Sequence, residues 1–137
     1  MPGALLPENP DGTSYYSDEA LEVFRLSSKS HWDVSVQVGS NDNKVIHFLV
    51  SHPTPPVFDG PEDRNGKRNY DEIRFWADYV DDEDYFYDDA GVSGGLKKGS
   101  RFVIMGDQNS DPFDGDCKCI VSVVWLRSNQ NDDSLLL

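Results

Sequence analysis

Two short polar segments, each following an apolar run, carry the residue types that could do chemistry. His52 stands in SHPTPP after Val45 to Val50, and Asp107 and Asn109 stand in GDQNSD after Phe102 to Met105. A histidine titrates near neutrality, so His52 can move a proton or donate a hydrogen bond to a phosphoryl oxygen. Asp107 can orient or deprotonate a water, or hold a hydrated metal ion. Asn109, with an amide donor and acceptor, can fix a phosphate oxygen or the aspartate. Together they suit metal-assisted attack of water on a phosphate ester, where positioning and charge neutralisation supply most of the rate. Spacing alone leaves a second reading of His52 open, a satisfied imidazole at the end of a strand. Arg64, Lys67 and Arg68 could receive an anionic substrate, although a solvated basic patch is the commoner use of such a cluster.

These residues need elements that bring them together. Phe102 to Met105 reads as a short strand buried on both faces, after which Gly106 lets the backbone turn. Trp32, Val34, Val36 and Val38 alternate with Asp33, Ser35 and Gln37, the pattern of a strand with one wet face. The turn segment GSNDNK then returns the chain antiparallel into Val45 to Val50. A long Pro- and Gly-rich loop follows His52, a candidate binding loop by its length. Asn69 is a plausible helix N-cap with Glu72 three residues on, a capping-box arrangement, and Ile73, Trp76, Ala77 and Val80 form one apolar face. Strand, helix and strand in that order make a crossover unit with its two apolar strands parallel. That puts His52 and Asp107 at one end of a mixed sheet in an α/β (α+β) fold, where ligands of open sheets bind.

The flanks say less. Residues 1–16 read as an irregular arm with nothing of their own to lie against, Ser17 to Glu19 as the opening of a helical turn, and Leu21, Val23, Phe24 and Leu26 as half-buried. Ile120 to Leu126 is a strand-length apolar run. Cys117 and Cys119, one residue apart, suit neither a structural zinc site nor a disulfide framework.

Composition restricts the partners. The 137 residues hold 25 acidic and 12 basic side chains, a net charge of -13. Such a surface repels phosphate backbones unless cations are local, which disfavours duplex nucleic acid. No run is long enough to span a bilayer, and the first residues do not form a signal peptide. Asp107, Asn109 and Asp111 match the start of a calcium loop, but Pro112 and Lys118 stand where the glycine and the closing glutamate belong, so that reading fails. The acidic run Asp81 to Asp89 reads as solvated surface.

The segments HFLVSHPTPPVFDGPEDRNGKRNYDEIRFW and FVIMGDQNSDPFDGD resemble the endonuclease/exonuclease/phosphatase superfamily, in particular a bacterial branch whose full-length members are usually exported. SHPTPP resembles the family's central histidine motif and MGDQNSDP its GD-x-N motif. The resemblance implies a deoxyribonuclease I-like fold of two packed mixed sheets, and Mg²⁺- or Mn²⁺-dependent cleavage of phosphate esters. By position, His52 would contact the scissile phosphate, Asp107 would orient the attacking water or assist the metal, and Asn109 would hold it in place.

The likeness covers about residues 1–116, best from 17 to 116, with 117–137 a divergent tail. The family's metal-binding asparagine and glutamate, and its carboxyl-terminal Ser-Asp-His motif, have no counterpart here. The sequence is therefore expected to be a single partial domain, an internal and truncated portion of such a protein. A non-catalytic binding or regulatory remnant of the same fold is the alternative expectation.

Overall fold

The computed structural model describes residues 1–40 and 44–111. Cys117, Cys119 and the run from Ile120 to Leu126 lie outside the described residues. A five-residue helix, α1 (Asp18–Glu22), is followed by β1 (His31–Gln37), β2 (Val45–Ser51), the long helix α2 (Arg64–Val80) and β3 (Arg101–Gly106). Among the described residues the fold is mixed α/β, with a three-stranded sheet in the order β1-β2-β3. β1 runs antiparallel to β2, as expected of the hairpin. β3 runs parallel to β2, as expected of the crossover through α2. The last parallel pair is Ser51 with Gly106, so the next residue along each strand is His52 and Asp107 respectively.

Helix α2 lies on one face of the sheet. Trp76 packs there with Leu49, Leu96 and Phe102, and Phe75, Tyr79, Val80 and Ile104 close around them. The expected helix start at Asn69 is corrected: α2 begins at Arg64 after Asp63, which has a left-handed backbone and makes no side-chain cap. The carboxylate of Asp59 instead accepts the Asn65 N–H at 2.5 Å, satisfying one of the free donors of the first turn. Asn69 and Glu72 sit inside the helix, both fully buried, and their side chains reach other parts of the chain. Arg64 and Arg68 are accordingly helical residues and not part of the loop.

The burial of the strands also departs from expectation. Phe102 is buried, but Met105 is 47 % exposed, so β3 is covered on one face only. In β1 the expected alternation of burial is not seen, since every residue after His31 is exposed. Trp32 is 61 % exposed, and Val34 and Val36 are exposed beside it. Asp33 lies on the helix side, where Tyr79 Oη donates to its Oδ2 at 2.7 Å and the His47 ring nitrogen Nδ1 lies 2.8 Å from its Oδ1. A polar row can turn toward a helix when the helix offers partners, and here Tyr79 does. Burial together with that carboxylate pushes the Tyr79 phenol well above its ordinary value.

The irregular arm does find a surface to lie against. The Leu5 N–H donates to Asp71 Oδ2 at 2.7 Å, and Arg74 donates to the Pro2 carbonyl at 2.9 Å, both from α2. Burial pushes the Asp71 carboxyl up, against the opposing pull of the Leu5 N–H and the Arg74 guanidinium. Ser17 caps α1 as expected, its Oγ accepting from the Ala20 N–H. Leu21, Phe24 and Leu26 are half-buried, while Val23 is exposed. Tyr85 and Phe86 fold back from the acidic run, Tyr85 bonding Asp78 and Phe86 packing on Phe75, while its carboxylates stay exposed. No helix among the described residues is long and apolar enough to cross a membrane.

His31, at the start of β1, makes stability depend on pH. Its ring lies against Phe75 and Trp76, its Nε2 donates to the Glu72 carbonyl at 2.9 Å, and its buried Nδ1 has no hydrogen-bond partner among the described residues. Burial lowers its pKa from 6.5, outweighing the Glu72 carbonyl and carboxylate. The unfolded chain therefore takes up this proton more readily than the folded one. The stability His31 contributes is present above 6.5 and is lost as the pH falls through its lower folded value. Urea midpoints measured across this range should decline toward acid, and His31→Gln should flatten that decline. An unchanged slope in the variant would place the titration elsewhere.

Candidate functional site

The site is built at the carboxyl ends of β2 and β3. Their last residues are paired, so the loops leaving them start side by side. His52 Nε2 lies 3.9 Å from Asp107 Oδ2, with the two side chains 49 % and 71 % exposed. That separation exceeds a hydrogen bond, and both groups face water, so a third group can contact both. Asp107 Oδ1 accepts the Asn109 N–H at 3.0 Å, an Asx turn that fixes the carboxylate relative to the backbone. Asn109 has φ 48°, a left-handed conformation that asparagine tolerates better than most residues. Its Nδ2 donates to the Pro53 carbonyl at 3.0 Å, tying the Asp107 loop to the His52 loop. The structure thus brings together His52, Asp107 and Asn109, the residues that the sequence singles out.

Beneath them lies a buried polar layer that sequence reasoning read as a helix cap. Asn69 Nδ2 donates to the Thr54 carbonyl at 2.8 Å and to the Gln108 carbonyl at 3.1 Å. The Glu72 carboxylate accepts the Ser28 N–H at 2.7 Å and the Thr54 N–H at 2.5 Å. Ser51 Oγ accepts from Trp76 Nε1 at 2.8 Å and donates to Gln108 Oε1 at 3.2 Å. These bonds connect α2 to both loops and to the segment before β1.

The cations are placed differently from expectation. Arg68 donates to the carbonyls of Leu26 and Arg25, and its guanidinium lies 4.7 Å from the Phe24 ring centre. Arg64 pairs with Glu62 at 3.7 Å. The arginine of this pair with a firm structural occupation is Arg68, since it holds the segment after α1 against the helix. The cation bonded to the His52 loop is Lys29, whose Nζ donates to the His52 carbonyl at 3.4 Å. Sequence reasoning passed over it, although the hairpin contains the signal. His31 pairs with Ser51, so residues just before β1 must lie beside residues just after β2.

Among the described residues no group of three or more His, Cys, Asp or Glu side chains converges as a metal site. A hard oxygen donor facing solvent at this rim is the Asp107 carboxylate. One carboxylate fits a hydrated Mg²⁺ or Mn²⁺ that arrives with a phosphate, because such ions retain several waters and use one or two carboxylates plus phosphate oxygens.

The chain matches no family model, no curated protein and no solved structure at a significant level. The chemical reading therefore rests on the groups themselves. An imidazole, a carboxylate, an amide and an ammonium gathered at an open strand end can receive an oxyanion, position a water and exchange a proton with it.

Proposed function

We propose that this rim is the centre of a metal-dependent phosphoesterase that hydrolyses phosphate esters, related to the endonuclease/exonuclease/phosphatase superfamily. The single observation that carries the reading is the meeting of His52 and Asp107, from separate strands, at 3.9 Å. In this reading the crossover unit belongs to a deoxyribonuclease I-like sandwich. The apolar face of Trp32, Val34, Val36 and Met105, exposed opposite the helix, supports that assignment, because a second layer would cover it.

The phosphate sits between the two loops. His52 Nε2 donates to a phosphoryl oxygen and can pass its proton to the departing oxygen. Asp107 orients the attacking water through its free oxygen, while its Oδ1 stays anchored by the Asn109 N–H. Asn109 keeps the two loops in contact through Pro53. Lys29 adds positive charge beside the His52 loop. A hydrated Mg²⁺ or Mn²⁺ carried by Asp107 and the substrate would neutralise phosphate charge. The net charge of -13 favours small or single phosphate esters over duplex nucleic acid.

The test is hydrolysis of bis(4-nitrophenyl) phosphate with added Mg²⁺ or Mn²⁺. His52→Ala and Asn109→Asp are each expected to lower kcat by about a hundredfold, a typical loss for a general acid or a positioning group. Asn109→Asp is preferred to alanine because aspartate also tolerates the left-handed backbone. Hydrolysis that ignores both substitutions would overturn the reading, and a folded wild type that binds phosphate without turnover would favour a binding domain.

A further inference from the structure

We propose that Asn69 is a positioning residue that sets the spacing between the His52 loop and the Asp107 loop. Its consequence for catalysis rests on the phosphoesterase reading of the rim, whereas its effect on loop geometry does not.

The case begins with a misplaced residue type. Asparagine is a mediocre helix former, and Asn69 lies well inside α2 where no helix end needs capping. It is nevertheless fully buried. A buried amide must be bonded, and the partners of Asn69 decide its role. One nitrogen donates both hydrogens, one to Thr54, two residues beyond His52, and the other to Gln108, between Asp107 and Asn109. A single NH₂ group thereby joins the two loops from beneath, beside the Asn109 to Pro53 bond that joins them above.

The two loops do not depend on Asn69 equally. Thr54 is held a second time, through its N–H, by the Glu72 carboxylate one helical turn further along α2. The Gln108 carbonyl is tied to α2 by Asn69, and its side chain bonds Ser51 and Met105 on the strands. Loss of the amide should therefore shift the Asp107 loop while the His52 loop remains fixed to the helix. A displacement of about 1 Å between groups that act on one phosphate can cost up to a hundredfold in rate.

The test uses the whole chain and three variants, read by backbone amide NMR and by hydrolysis of bis(4-nitrophenyl) phosphate with Mn²⁺. In Asn69→Ala the amide signals of 107–109 should move more than those of His52 and Thr54, the Trp76 indole signal should stay, and kcat should fall at least tenfold with KM within about twofold. Asn69→Asp, of equal size but without donors, should do the same. Asn69→Gln retains both N–H groups and should recover part of kcat, which a merely structural role would not require.

Unmoved signals from 107–109 in a folded alanine or aspartate variant would overturn the proposal. So would an equal fall in all three variants, or a loss expressed in KM alone. A wild type without hydrolysis would instead remove the phosphoesterase reading, and the NMR comparison would still decide whether Asn69 spaces the loops.

Discussion

Gly106→Ala is expected to destabilise the protein by about 3–5 kcal/mol, a loss at the severe end for a single substitution. Gly106 has φ 131°, a backbone conformation that residues with a side chain rarely adopt. A Cβ there would stand 2.0 Å from the backbone oxygen of Ser51 and 3.1 Å from its carbonyl carbon. Neither atom can give way easily, because Ser51 is the parallel partner of Gly106 and its hydroxyl is held by Trp76. Domains of this kind carry only about 5–15 kcal/mol of net stability, so the variant should be partly unfolded without denaturant.

Gly91→Ala is the matched control. Its φ of 79° is also left-handed, yet a Cβ there meets nothing within 4 Å among the described residues, so only the backbone strain of about 1–2 kcal/mol applies. Urea unfolding of the two variants separates close approach from conformational strain. Equal midpoints would show that the strands do not meet as closely as described. Since Ser51 precedes His52 and Gly106 precedes Asp107, the same contact sets how near the two loops begin.

The topology was legible in the sequence because it rests on signals that tertiary contacts rarely override. Alternation in β1, a turn of Gly, Asn and Asp, and a crossover helix leave few alternatives. From these follow the hairpin, the parallel pair, and the shared end for His52 and Asp107. The Asn109 side chain, expected to fix a phosphate oxygen or the aspartate, is bonded to the Pro53 carbonyl, and it is the Asn109 backbone N–H that holds Asp107.

What the sequence concealed was direction and purpose. Alternation shows that two faces differ but not which one lies over a helix, and here Asp33 is on the helix side, bonded to Tyr79. Asn69 and Glu72 have the spacing of a capping box and are used for something else. Position within α2 decides between these uses, and the helix start depends on Asp59, a residue four positions before the N-cap Asp63. Arg68 looked available to a ligand because sequence does not show that the Leu26 and Arg25 carbonyls await it. Lys29 was missed for the opposite reason. It lies in no motif, and only the register of the hairpin carries it to His52.

Glu72→Ala should cost about 3–6 kcal/mol and release the His52 loop. The Glu72 side chain is fully buried, and its two oxygens accept the N–H groups of Ser28 and Thr54. A hydrogen bond to a charged acceptor contributes about 1.5–3 kcal/mol, and donors left buried without a partner lose at least as much. Water can relieve part of this by entering the space that the side chain vacates, which is why the lower end of the range applies if the site opens.

Glu72→Gln separates the two bonds. One amide oxygen can replace one carboxylate oxygen, but the NH₂ group then faces the other N–H, donor against donor. Its loss should fall between wild type and alanine. Hydrogen exchange identifies where the cost is incurred: the Ser28 and Thr54 amides should lose protection in the alanine variant, while amides in the middle of β2 keep theirs in proportion to the remaining global stability. An alanine variant that loses less than about 1 kcal/mol, with Thr54 still protected, would mean that some other acceptor holds the loop. Thr54 lies two residues past His52, so the same measurement also shows whether the backbone of the His52 loop owes its place to the Glu72 carboxylate.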